Sequence, residues 1–210
     1  MWIFDKKEKF NADSLKPIFD AQKKTLLDLG YPEMLSVSVD DFTKKLEALW
    51  ETCVKKIADI EISKKGNVPL LLVISQGNAQ EKIQKIKGHS ELDFNNLEGE
   101  AQIPPPIYIL LDVEDGQNMV AKSPKDALKK FQKEGRSALS INESVALLTH
   151  YPELLKDHYL ISAGSFYTTK DNESLPLLWL LDEHKNPELH YAWFHIAHGS
   201  YGVGSYGIKV

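Results

Sequence analysis

The chain has 210 residues, 42% of them hydrophobic and 26% charged, ordinary globular material with enough apolar content for one domain and a sizeable core. A net charge of −5 without any basic block argues against a nucleic-acid or anionic-membrane surface, and the sequence holds no apolar run of about 18 residues to span a bilayer. A single cysteine excludes an internal disulfide and fits a reducing cytosol, and the opening MWIFDKKEKF lacks the charged-then-apolar layout of a signal peptide. Secretion without a cleaved signal leaves no trace in such features.

Residues 13–29 read as a helix capped by Asp13 or Ser14, with Pro17 in its first turns and Gly30 as its stop. A longer amphipathic helix follows over 40–62, with Phe42, Leu46, Leu49, Cys53, Ile57 and Ile60 at three- and four-residue spacing. Cys53 on that stripe is a core residue rather than a nucleophile. Together the two helices form a helical arm over residues 1–65, packed on a body of residues 66–210. The period then changes. Residues 68–75 (VPLLLVIS) and 107–113 are continuous apolar runs, predicted as strands buried on both faces. Between them lie a short helix over 78–87 and a long loop, 88–106, ending in three prolines. Ser123-Pro124 starts a helix that stops at Gly135.

The organising stretch is 135–155, GRSALSINESVALLTHYPELL. Ser140 and Glu143 have the capping-box spacing ahead of an apolar stripe, Tyr151-Pro152 ends that helix, and Pro152 opens a short second one. Arg136 is the one arginine against 24 lysines among the 25 basic residues. A planar five-donor fork in that background points to a task an ammonium cannot perform: clamping Glu143 or loop carbonyls as a structural corner, or holding an anionic ligand group. Beyond it, 159–163, 175–181 and 189–196 are aromatic and branched, with a turn over 182–188, and predict antiparallel strands. The glycine-rich ending is expected to add an edge strand. The fold class is therefore α+β: a central mixed sheet with helices 123–135 and 140–155 on one face, the N-terminal helical pair beside it, and C-terminal antiparallel strands.

Five pieces in order (VPLLLVIS, PPIYILLDV, the 135–155 stretch, LPLLWLL and AWFHIAHGSYGVGSYG) resemble a family of bacterial proteins known only as a domain of unknown function. The resemblance covers roughly residues 68–207. It implies bacterial origin and a self-contained fold, and it brings no catalytic residue, substrate or cofactor.

Gly202-Val203-Gly204-Ser205-Tyr206-Gly207 spells G-x-G-x-x-G, but only three residues follow, so no helix can present its N-terminus to a pyrophosphate. Ser200 and Ser205 each miss one glycine of the nucleophile elbow. His184, His190, His195 and His198 cluster late. In one strand His190 and His195 would face opposite sides, so hydrogen-bonded histidines are the ordinary reading and no metal site is assigned. Asp112, Glu114 and Asp115 end the second buried strand, where open sheets place ligands and where carboxylates could hold Mg²⁺; a turn capped by acidic side chains is the commoner arrangement. Trp193, Phe194, His195, His198, Tyr201 and Tyr206 surround glycines and could wall a pocket or pack as a sheet face.

The ligand-binding candidates are thus Asp112, Arg136, Trp193, His195, His198 and Tyr201; the structural ones are Arg136, Ser140 and Glu143. The leading expectation is a non-catalytic bacterial cytosolic protein that binds a small ligand or a protein partner, with no nucleic acid or membrane involved. The alternatives are an enzyme with an acidic or histidine site near Asp112, Arg136 and His198, and a secreted host-directed protein. The sequence names no cofactor and no oligomeric state.

Overall fold

In the computed structural model, which describes residues 8–9, 11–58, 60–62, 66–90, 97–98, 104–167, 174–180 and 186–210, the two apolar runs pair with each other as expected. The elements in chain order are β1 (Glu8–Lys9), α1 (Ala12–Asp28), α2 (Tyr31–Met34), α3 (Val39–Ile57), β2 (Glu61–Ile62), β3 (Val68–Ile74), α4 (Ala79–Lys85), β4 (His89–Ser90), β5 (Leu97–Glu98), β6 (Ile107–Glu114), a 3-10 turn (Gln117–Met119), α5 (Pro124–Glu134), β7 (Ser137–Ala138), α6 (Ile141–His150), a 3-10 helix (Pro152–Lys156), β8 (Tyr159–Ile161), β9 (Phe166–Tyr167), β10 (Ser174–Leu180), β11 (Pro187–Trp193), β12 (Tyr201–Val203) and β13 (Ser205–Lys209). The class is α+β, with the N-terminal helical pair and the antiparallel β10–β11 hairpin both present.

Where one central sheet was expected there are two. An antiparallel four-stranded sheet runs β3-β6-β13-β7, and a mixed seven-stranded one runs β12-β8-β10-β11-β4 with β9 and β5 branching from β10. β12 and β4 supply its parallel pairs, to β8 and β11. The C-terminal tail is not an edge of the first sheet: β13 lies between β6 and β7, and only β12 is an edge, of the second sheet. Glycine makes this insertion possible, since a Cβ on Gly207 would stand 2.7 Å from Asp112 Oδ2; in β12 a Cβ on Gly202 would likewise stand 2.3 Å from the Gly116 carbonyl oxygen.

Continuous apolarity in β3 and β6 reflects burial on both faces, and the two faces serve different cores. Leu70, Leu72, Ile74, Ile109 and Leu111 pack with Leu15, Phe19, Phe42, Leu46 and Trp50 of the N-terminal helices. Leu71, Val73, Tyr108 and Leu110 pack with Val145, Leu147 and Leu148 of α6, and that same core includes Leu160, Leu178 and Leu189 of the second sheet. Helix α6 therefore lies between the sheets. That position explains why Ile141 and every residue from Glu143 to Thr149 are buried. α5 sits elsewhere, its Ala127 and Phe131 packing on Ile161, Leu175, Leu177 and Ala192 of the second sheet. The two helices expected on one face thus occupy different layers: α6 is buried nearly all round and α5 along one stripe only.

β3 is an edge strand, and its exposed ladder is covered by side chains. Gln22 of α1 accepts from the Leu72 N–H at 2.7 Å and donates to the Leu70 carbonyl at 2.9 Å, taking the place of a neighbouring strand. His150 of α6 donates its Nε2–H to the Leu72 carbonyl at 3.1 Å. α1 is capped by Asn11 rather than Asp13 or Ser14. α3 ends at Ile57, and residues 61–62 pair with β1 instead of prolonging the helix. Cys53 is buried, which pushes its thiol up to about 11. Most of the predicted loop 88–106 and of the turn 182–188 lies outside the described residues.

Replacing Gln22 with the isosteric methionine strands a buried N–H and a buried carbonyl. Gln22→Met should lower the unfolding free energy by about 2 to 4 kcal/mol in urea denaturation; a loss within error would show that the edge is satisfied by other means. Burial drives the His150 imidazole down to about 4 from an ordinary 6.5, against the opposing pull of its bond to Leu72. Between those pH values the unfolded chain takes up a proton that the folded one refuses, so stability falls as the pH falls through that window. The loss should approach about 3 kcal/mol relative to His150→Gln, which keeps a donor near the Leu72 carbonyl and does not titrate. Parallel pH curves for the two proteins would exclude this burden.

Candidate functional site

The C-terminal end of β6 carries the three carboxylates singled out in the sequence, and each has a different environment. Asp112 sits in the strand with φ 57, the left-handed region that Asp tolerates better than most residues. Its Oδ1 accepts from the Gly66 N–H at 2.7 Å and its Oδ2 from Arg136 Nη1 at 2.5 Å. Asp115 is committed to the turn, bonding Asn67 and accepting from the Gln117 N–H at 3.0 Å. Glu114 is 5% exposed. Its Oε1 accepts from the Asn118 N–H at 3.0 Å, and its buried Oε2 has no hydrogen-bond partner. Burial raises the pKa of this carboxyl, helped by the Asp115 charge, although the Asn118 and Gly116 N–H groups and the Arg136 charge pull the other way.

Arg136 reaches the strand from the end of α5. Gly135, in the left-handed conformation with φ 66, closes that helix as the Arg136 N–H bonds the Phe131 carbonyl at 2.9 Å. The chain then enters β7 beside β13. The guanidinium donates to Asp112 Oδ2, to the Asp112 carbonyl at 2.6 Å, to Ser205 Oγ at 2.9 Å and to the Ser205 carbonyl at 3.4 Å. With side chains 5% and 4% exposed, Arg136 and Asp112 form a buried ion pair. Arg136 thus clamps an internal carboxylate and two carbonyls, and its carboxylate is Asp112 rather than Glu143. Glu143 faces the other core. Its Oε2 accepts from the Ser140 N–H at 2.8 Å, which completes the capping box, and its Oε1 accepts from Tyr108 and from Lys209 Nζ at 2.8 Å.

Above the pair is a cleft of about 310 Å³ lined by Glu114, Asn118, Met119, Lys130, Phe131, Glu134, Arg136 and Ser205. Met119 and Phe131 give it apolar walls, while Lys130 and Glu134, one helical turn apart on α5, stand at its mouth. Its turn is buttressed from behind, where buried His158 bonds the Asp115 carbonyl through Nε2 at 3.0 Å.

The family comparison matches residues 25–209 to DUF5701, a family of unknown function. The chain belongs to that family. No curated protein and no solved structure matches it. The DUF5701 match begins inside α1, so it takes in α3 as well as the stretch 68–207 that carried the resemblance.

The other site residues expected from the sequence do not line this cleft. Trp193, 47% exposed, meets Tyr191 edge-on with ring centroids 5.6 Å apart. His195 packs against Phe194 at 5.0 Å, and His198 stacks on Tyr201 at 4.1 Å while accepting from the Ser200 N–H. β11 ends at Trp193, so His195 lies beyond the strand that was expected to carry it. Among the described residues no three of His, Cys, Asp or Glu gather in a metal-binding group, and His184 lies outside them. Within this DUF5701 chain the aromatic ending and the acidic strand end are therefore separate features. The informative residue of the acidic trio, Glu114, is the one whose neighbours leave an oxygen unmet.

The ion pair can be tested by its asymmetry. Asp112→Asn keeps an acceptor for Gly66 and tolerates the backbone conformation, yet turns an amide toward the guanidinium. It should cost about 3 to 5 kcal/mol of unfolding free energy, as should Arg136→Met. Arg136→Lys should not rescue, since one ammonium cannot span acceptors on two strands. In a double-mutant cycle the Asp112→Asn/Arg136→Met protein should lose less than the sum of the single changes. Strict additivity would mean that the pair is not energetically coupled.

Proposed function

We propose that this is a non-catalytic, small-ligand-binding protein of the bacterial cytosol, with its site in the cleft over Glu114. One observation carries the reading: a buried carboxyl oxygen, Glu114 Oε2, that no donor meets, beside a cleft whose Arg136 and Ser205 are bonded within the fold. A buried polar atom left unmatched is costly, and a ligand that supplies the missing bond recovers that free energy. The cleft also has the size and the mixture of apolar wall and few polar groups that small-molecule sites use.

Support for a binding rather than a catalytic role comes from the geometry around Arg136. Its guanidinium is matched to Asp112, and His198 stacks on Tyr201, outside the residues that line the cleft. The bacterial and cytosolic assignments rest on the family resemblance and on the single, buried cysteine. No helix among the described residues is long and apolar enough to cross a membrane, and the net charge of −5 disfavours nucleic acid.

A thermal-shift panel of metals, nucleotides and small metabolites tests this. It would be run in parallel on the wild type and on Asn118→Trp, which fills the cleft from the exposed 3-10 turn. A ligand at a hundredfold excess over its Kd should stabilise the wild type by about 2.7 kcal/mol, a Tm rise of roughly 5 to 10 °C, and should leave Asn118→Trp unmoved. A panel with no hit, or with hits that Asn118→Trp retains, would contradict the assignment.

A further inference from the structure

The charges around the cleft point to the chemical class of its ligand. Glu114 and Glu134 line it with Lys130 and Arg136, and Asp112 lies beneath, bound to Arg136. Three carboxylates against two cations leave one negative charge when Glu114 is ionised, and Asp115 in the adjoining turn adds a second like charge. Arg136 has spent its charge on Asp112, and Lys130 and Glu134 are spaced to offset one another at the mouth. The uncompensated group is Glu114, and its unmet atom, Oε2, is an acceptor. An anion would add like charge to that carboxylate, and a neutral hydroxyl would leave its charge unbalanced in a desolvated site. A monocation with N–H donors meets both needs.

We propose, resting on the binding reading above, that the cleft takes a small primary ammonium compound with a short apolar chain. The ammonium donates to Glu114 Oε2 while the chain lies between Met119 and Phe131. Oε2 is covered, so contact requires the carboxyl to turn about its terminal torsion, a soft coordinate for glutamate. At about 310 Å³ the cleft suits a ligand of amino-acid size or smaller. Because burial holds the free Glu114 carboxyl above its ordinary range, the incoming cation stabilises the ionised form. Binding therefore strengthens as the pH rises through the titration of the free carboxyl, and releases a proton wherever that carboxyl is still partly protonated. The groups facing Glu114 in this equilibrium are Asp115 and the Gly116 N–H from its own turn, Arg136 from the residue ahead of β7, Lys130 and Glu134 from α5, and the Asn118 N–H from the 3-10 turn.

Isothermal titration of the full chain with n-butylammonium chloride, with butan-1-ol and L-leucine as parallel arms, tests the proposal. Butylammonium should bind saturably at one site and butan-1-ol should not. Glu114→Gln, which retains an acceptor for Asn118, should bind the amine roughly ten- to a hundredfold more weakly. Leucine binding as well would extend the class to zwitterions, with the carboxylate at Lys130. In the wild type alone, titrations in two buffers of different ionisation enthalpy, repeated down through the acidic range in which the free carboxyl takes up its proton, should register proton release at the lower pH values, a readout that stands even where Glu114→Gln fails to fold. Equal binding of butan-1-ol, unchanged affinity in Glu114→Gln, or no proton release overturns the ammonium assignment. A panel ligand sensitive to Asn118→Trp, with butylammonium inert, overturns this inference and leaves the binding-protein reading intact. No ligand sensitive to Asn118→Trp overturns both.

Discussion

The buried pair between Asp112 and Arg136 is the constraint from which the rest of the architecture follows. Replacing such a pair with well-packed apolar groups is often neutral or stabilising, so its worth here is geometric. Arg136 binds the side chain and carbonyl of one strand and the hydroxyl and carbonyl of the next, which fixes the register of β6 against β13. It does so from the residue after a glycine-closed helix, so the end of α5 is positioned by the same contacts. Asp112 accepts a left-handed backbone, and the strand turns over at that point. Val113 and its partner Val68 pack with Leu71 and Leu110 rather than with Leu70 and Leu111. One strained residue thereby decides which core each end of the central strand pair serves.

A second constraint is that α6 has water on almost no side. A helix between two sheets must bury its polar groups along with its leucines, and each of those that bond does so within the fold. Glu143 closes its own cap and gathers Tyr108 and Lys209, Thr149 bonds the Val145 carbonyl, and His150 reaches the Leu72 carbonyl. The edge strand β3 is then closed from both sides, by Gln22 from α1 and by His150 from α6. Side-chain amides and imidazoles do there, at Leu70 and Leu72, what another strand would do.

What could be read from the sequence follows the range of each interaction. The Ser140–Glu143 box, the Ser123-Pro124 start and the Gly135 stop act within a few residues, and the structure places each as expected. The apolar runs at 68–75 and 107–113 announced burial on two faces, but nothing in them says that the two faces belong to different cores. Arg136 was conspicuous by composition, yet its partner lies 24 positions upstream on another strand, beyond any local pattern. The glycine-rich ending looked like a pliant edge because the same composition serves close approach inside a sheet. Gln22 carried a readable signal that was passed over: it occupies the helical stripe of Leu15, Phe19 and Leu26, and a polar residue there requires a buried partner. Glu114 had a weaker signal, its place between two better-bonded acids at a strand end.

The cleft inherits its chemistry from the ion pair beneath it. A guanidinium in a pocket floor is ordinarily an anchor for anions, and read alone Arg136 suggested one. Asp112 cancels that charge from below, with a carboxylate held by a Gly66 N–H and given room by Gly207, where a Cβ would stand 2.7 Å from Oδ2. The same contacts aim Ser205 Oγ at Arg136 Nε, so the hydroxyl oxygen is engaged as well. What remains on the floor is a carboxyl with one oxygen satisfied by Asn118 and one by nothing. The polarity of the cleft is thus set two layers down, by which acid the arginine was given, and a composition rich in lysine says nothing about it.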